Sequence, residues 1–145
     1  MFIGKHLASL DPQNRISLPT GIGARLEDGA FVMQGFERNL ILMTPGAFAA
    51  LFDGMRTMNI TDPMARQLKR LLLGSAAEVR PDGKGRLALP AHLCTFAGLE
   101  GEACLIGQGD YLEIWAPAGW QAQETGLQDP QSDAGRFAAL PLATS

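Results

Sequence analysis

Two segments of the chain carry the same succession of apolar and polar positions. In each it predicts a short strand, a turn, a second strand that stops at Pro19 or Pro90, a short helix, a β-hairpin and a further helix. Proline suits the end of a strand because it has no N–H to give a ladder and can open the helix that follows. Gly21 and Gly23 weaken the first of the short helices, whereas its counterpart runs from Ala91 to Ala97 and is closed by Gly98. Between the segments, Thr61-Asp62-Pro63 opens a clearer helix with a capping side chain and a proline suited to the first turn. Met64, Leu68, Leu71 and Leu72 recur at helical spacing, Arg66, Lys69 and Arg70 take other positions, and Gly74 supplies a stop. That stripe predicts a bridge packing one face on the core. A DNA-reading role is the lesser option, since β-rich segments on both sides need covering.

The repetition extends to residue identities. Asp11-Pro12-Gln13-Asn14-Arg15-Ile16-Ser17-Leu18-Pro19 aligns with Asp82-Gly83-Lys84-Gly85-Arg86-Leu87-Ala88-Leu89-Pro90. After one residue of slippage, the stretch ending Leu40-Ile41-Leu42-Met43-Thr44-Pro45-Gly46-Ala47-Phe48 parallels the one ending Leu112-Glu113-Ile114-Trp115-Ala116-Pro117-Ala118-Gly119-Trp120. Two matches in the same order point to a duplicated unit of roughly fifty residues, a size that rarely stabilises itself alone, so the halves must bury each other. The expected fold class is α+β and β-rich: two tandem half-repeats at 5–50 and 77–122, a helical connection at 51–76, and a mobile tail at 123–145. The tail is rich in Gln, Gly, Asp, Pro, Ser and Ala, with one short apolar patch at Phe137-Ala138-Ala139-Leu140-Pro141-Leu142.

Charge qualifies this picture. The formal net charge of the 145-residue chain is −3, which argues against nucleic acid, because non-specific affinity comes mainly from neutralising phosphates. The distribution softens the objection: residues 1–90 hold 11 basic and 8 acidic side chains, a balance of +3, and residues 91–145 hold 1 and 7, a balance of −6. A basic face can survive an acidic average. Cys94 and Cys104 are too far apart for a C-x-x-C pair, and with His6 and His92 they complete no ligand set, so small core residues in a reducing compartment are expected and no metal or cofactor. The chain has neither the charged leader with apolar stretch of a signal peptide nor an apolar run of about eighteen residues, so a cytoplasmic protein, associated with the nucleoid if it binds DNA, and no membrane partner are expected.

The repeated D-x-x-x-R turn carries the candidate chemistry. An Asp and an Arg four apart around a tight turn can hold each other in a charge-assisted hydrogen bond. Gly83 and Gly85 allow positive φ in the second loop, where Lys84 and Arg86 would project toward phosphates or guanine. One such turn is most simply a staple. Two on neighbouring surfaces, with basic company, favour binding.

Met1-Phe2-x-Gly4, the paired D-x-x-x-R-x-x-x-P segments, Thr61-Asp62-Pro63-x-Ala65-Arg66, Gly74-Ser75-Ala76-Ala77-Glu78-Val79, Ala97-Gly98-Leu99 and Glu113-Ile114-Trp115 together resemble the MraZ family over residues 1–122. The resemblance implies two SpoVT/AbrB-like units, a homo-oligomeric ring, and binding to double-stranded DNA at promoter direct repeats upstream of the division and cell-wall gene cluster, usually as a repressor. It implies DNA-binding roles for Arg15, Lys84 and Arg86 and a loop-orienting role for Asp11 and Asp82; Lys5 and Asn14 are further DNA-binding candidates. The first loop departs from the family pattern: Gln13-Asn14 replaces Lys-Gly, and Ile3 stands where an Arg is common. Asn14 nevertheless tolerates a left-handed turn. Several identical loops around a ring would gain from high effective concentration on repeated DNA.

Other classes fit less well. The related Asp11 and Asp82 could be read as a carboxylate dyad, but each has its own Arg, which keeps it ionised, and no enzymatic fingerprint accompanies them, so neither an enzyme nor a small-molecule substrate is expected. The runner-up is an oligomeric interaction or antitoxin-like protein of the same fold with weak or no DNA binding. A small single-unit dimer disagrees with the fused duplication. Trp115 and Trp120 are expected to pack internally or between subunits, not to stack on bases, because Met43 and Phe48 hold the matching places in the first half.

Overall fold

The computed structural model describes residues 1–129 and 134–142. The first half supplies β1 (Lys5–Ser9), β2 (Arg15–Ser17), α1 (Thr20–Arg25), β3 (Ala30–Gln34), β4 (Leu40–Met43) and α2 (Pro45–Arg56). After α3 (Pro63–Leu72), the second half supplies β5 (Ala77–Val79), β6 (Arg86–Ala88), α4 (Ala91–Ala97), β7 (Glu102–Gly107), β8 (Tyr111–Trp115) and α5 (Pro117–Leu127), followed by α6 (Ala134–Phe137). The second half therefore repeats the element order of the first.

The strands do not pair within their own halves alone. One antiparallel sheet runs β1-β7-β8-β4-β3-β5, and β2 pairs with β6 in a separate two-stranded ribbon. The first strand of each half lies against the β-hairpin of the other, with Leu7 opposite Cys104 and Glu78 opposite Phe31. The two hairpins meet through β4 and β8, where Leu42 faces Leu112. Exchanging the halves leaves this order unchanged, so the chain has an internal pseudo-twofold axis between β4 and β8 that also passes through the ribbon. Neither half could keep these ladders without the other.

Period-two burial explains the two faces of the sheet. On one face, Val32, Leu40, Leu42, Ala103, Leu105, Leu112 and Ile114 join Ile16 and Leu87 from the ribbon in the main core. On the other, Met33, Ile41 and Met43 are covered by α2 and α3 through Met55 and Leu72, and Trp115 packs edge-to-face on Trp120 of α5, ring centroids 5.9 Å apart. Trp115 is buried, and both cysteines are buried and free, as expected of packing residues.

The short helix expected after Pro19 is present as α1, anchored by buried Ile22 despite Gly21 and Gly23. Other elements differ from the reading of the sequence. α2 begins at Pro45, capped by Thr44, whose Oγ1 accepts from the Ala47 N–H at 3.2 Å, so it straddles the boundary drawn at residue 50. In α3 the packed positions are Ala65 and Leu72, with Leu68 and Leu71 partly covered; the covered face runs through Ala65, Leu68 and Leu72 and leaves Met64, at its edge, 69% exposed. α5 continues to Leu127, past the start of the anticipated mobile tail, while residues 130–133 and 143–145 lie outside the described residues. No described helix is long and apolar enough to cross a membrane.

Candidate nucleic-acid interface

Each loop before a ribbon strand is organised by one carboxylate. Asp11 Oδ1 accepts from the backbone N–H groups of Gln13 and Arg15, both at 2.9 Å, and Asp11 Oδ2 accepts from Arg15 Nε at 2.6 Å. Asp82 repeats this: Oδ1 accepts from Lys84 N at 2.8 Å and Arg86 N at 3.0 Å, and Oδ2 accepts from Arg86 Nε at 2.9 Å. The Arg15 N–H, its guanidinium and the Gln13 N–H hold the Asp11 carboxyl below its ordinary 3.8. For Asp82 the Arg86 N–H leads, followed by the Lys84 N–H and the Arg86 guanidinium. Both carboxylates stay ionised and acceptor-only at neutral pH, which suits them to orienting an arginine and not to acid–base chemistry.

Closing so tight a turn needs one left-handed residue. Asn14 takes it in the first loop (φ 63°) and Gly85 in the second (φ 73°). Their carbonyls then brace the opposite loop: Leu89 N donates to Asn14 O at 2.9 Å, and Leu18 N donates to Gly85 O at 3.0 Å. The loops are thus one cross-linked unit.

The ribbon register places Arg15 opposite Ala88, Ile16 opposite Leu87, and Ser17 opposite Arg86. Ile16 and Leu87 point into the core and are fully buried. Alternation therefore puts Arg15, Ser17, Arg86 and Ala88 on the outer face, the two arginines diagonal to one another with backbones roughly 7–8 Å apart. Their side chains retain 35% and 28% of their exposure, so each is held in place without being hidden. Ser17 and Ala88 were not among the sequence candidates, although alternation around Ile16 and Leu87 marks their positions.

Arg15, Arg86, Lys84 and Asn14 are thus gathered on or beside one ribbon, with Asp11 and Asp82 hydrogen-bonded to the arginines. Lys5 is not with them. It lies at the far end of β1, on the order of 20 Å of extended chain from Asp11, and its Nζ pairs with Glu124 Oε2 of α5 at 3.0 Å. That ammonium, with the Trp120 indole N–H, keeps the Glu124 carboxyl below its usual value.

The two Asp–Arg pairs cancel in charge, leaving exposed Lys84 as the net cation of the loops. What the ribbon offers is oriented guanidinium forks. A two-stranded antiparallel ribbon fits the DNA major groove, where arginine can meet guanine O6 and N7 or a phosphate. Among the described residues, no group of three or more His, Cys, Asp or Glu is placed to hold a metal ion.

Residues 72–138 match the family model described as "MraZ protein, putative antitoxin-like". The chain is similar to proteins named "Transcriptional regulator MraZ" from three bacteria. That of Corynebacterium diphtheriae is 39% identical over 124 residues, covering 86% of this chain and 87% of the relative. That of Kocuria rhizophila is 36% identical over 121 residues (83% and 85%). That of Thermomicrobium roseum is 33% identical over 123 residues (85% and 87%).

Proposed function

This chain belongs to the MraZ family of transcriptional regulators, and on that footing we propose that it binds double-stranded DNA through the β2–β6 ribbon. Arg15 and Arg86 are its principal contacts and Lys84 supplies an added positive charge. Asp11 and Asp82 set the arginines without touching DNA, and Asn14 acts through the left-handed turn it permits. Lys5 serves the β1–α5 contact instead. In this reading the units at 5–50 and 77–122 form one DNA-binding head, several heads assemble into a homo-oligomeric ring, and the ring represses the division and cell-wall gene cluster from direct repeats in its promoter. The protein works at the nucleoid and catalyses no reaction.

One observation carries the proposal: two congruent, carboxylate-braced arginines lie on the same exposed face of a ribbon whose other face is locked into the core. Pre-ordered contacts reduce the entropy lost on binding, and several heads on one assembly multiply modest individual affinities.

The test is fluorescence anisotropy of the full chain with a duplex from upstream of its own coding sequence and with a scrambled duplex, at low and near-physiological salt. Selective binding that weakens with salt, by a slope of about −1 to −3 per engaged head, supports the proposal. An intact oligomer without selective binding favours the antitoxin-like interaction protein instead.

A further inference from the structure

The pseudo-twofold axis makes Gln13 and Lys84 occupants of equivalent places, yet their chemistry differs. Gln13 Oε1 accepts from Arg15 Nη2 at 3.3 Å, so an uncharged amide occupies one arm of that guanidinium fork. At the other loop, Arg86 Nε donates to Asp82, and the place of the amide is taken by an exposed lysine, which has no oxygen to accept from the guanidinium. The backbones of the loops are alike in their carboxylate contacts, left-handed residue and cross-bracing. A ribbon with identical loops and identical outer faces would sit on a duplex equally well in either direction. Here one end presents two cations, and the other presents one cation tied to an amide.

We infer that the non-equivalence of Gln13 and Lys84 gives each ribbon a direction on DNA, making it the reader of an asymmetric element. The inference rests on the DNA-binding reading above. The Lys84–Arg86 end takes the phosphate-rich or guanine contact, where a fork and a point charge act together. The Gln13–Arg15 end makes the less charged contact, and its amide has the donor and acceptor needed to meet an adenine edge. Gln13 and Lys84 are thus specificity-determining residues, and the direction of a bound head follows from which of them stands in which loop. Both side chains are exposed, and the loops are held by their backbone N–H groups, so exchanging the side chains leaves the Asp contacts intact.

An iron chelate tethered at Pro12→Cys reports the direction, since Pro12 is exposed at the tip of the first loop and both native cysteines are buried. The probe is an end-labelled duplex from upstream of the coding sequence, trimmed to one bound element, and the readout is the position of strand cleavage. The tethered protein is expected to cut on one side of the element, at least about fivefold over the other, the lower end of what one good base contact contributes. The exchange Gln13→Lys with Lys84→Gln should move the cuts to the other side. Gln13→Lys alone should reduce the preference for one side, tighten binding and steepen the salt slope by about one per engaged head. Symmetric cuts from the parent protein, or cuts that stay in place after the exchange, overturn the inference while leaving DNA binding established. Failure of the parent to bind, or undiminished binding by Arg86→Ala, overturns the DNA-binding reading itself and the inference with it.

Discussion

Replacing Leu87 with Ala should weaken the whole molecule, not only the second half. Leu87 is fully buried, faces Ile16 across the ribbon and packs in the main core with Leu89 and Leu93. Removing three carbons costs about 2.4 kcal/mol at roughly 0.8 kcal/mol each. Strands pinned from both halves limit collapse into the space left, which raises the expectation to about 3–4 kcal/mol, within the usual range for a buried leucine. For a chain of this length that corresponds to a fall in Tm on the order of 10 °C. Because the first strand of each half is paired with the hairpin of the other, the loss should appear as one cooperative transition. The assay is far-ultraviolet circular dichroism during heating, at matched protein concentration because assembly shifts Tm. A cost below about 1 kcal/mol, or separate melting of the halves, would refute the reasoning from burial and exchanged pairing.

Three further outcomes follow from the loops and the amino-terminal contacts. The Asp11 and Asp82 carboxyls sit below 3.8, so their contribution to loop order should be complete above that value and lost only as pH falls through the lowered one; a carboxyl-carbon titration placing either midpoint at or above 3.8 counts against the staple. Gly85→Ala should cost about 1–2 kcal/mol in denaturant unfolding through its positive φ alone, since its Cβ would meet open space, whereas Asn14→Gly should change stability by only a few tenths; equal effects would contradict the assigned turn. Gly107→Ala should displace Met1–Gly4, because the Ile3 backbone lies where a Cβ would go, at a cost of about 1–3 kcal/mol; hydrogen exchange should quicken at Phe2, whose N–H now donates to Gly109 O at 2.7 Å, and unchanged exchange would refute the close approach.

Much of the site was legible because its determinants are local. The Asp and Arg of each turn lie four residues apart, the left-handed residue is Asn or Gly, and Pro19 and Pro90 mark the strand ends, so residue chemistry alone pointed to two braced arginines. The diagonal placement of those arginines was not legible, since it depends on Ile16 pairing with Leu87 across 71 positions of chain, a register that local propensity does not set. Lys5, a further DNA-binding candidate, illustrates the same gap: the direction of β1 carries it to α5 and Glu124. Helical periodicity overstated the packed stripe of α3 at Met64, because the buried face is centred on Ala65 and Leu72, and a small alanine does not mark that face in the pattern of large apolar residues. The weak composition near Gln123 likewise hid the last turn of α5, which has no buried residue to announce it.

Hydrogen exchange followed by mass spectrometry, with and without a duplex from upstream of the coding sequence, tests most directly whether the ribbon meets DNA. The account predicts slowed exchange in peptides spanning residues 11–18 and 82–89, with α3 unchanged. Protection confined to α3 and its Arg66, Lys69 and Arg70, with both ribbon loops exchanging as in the free protein, would contradict it.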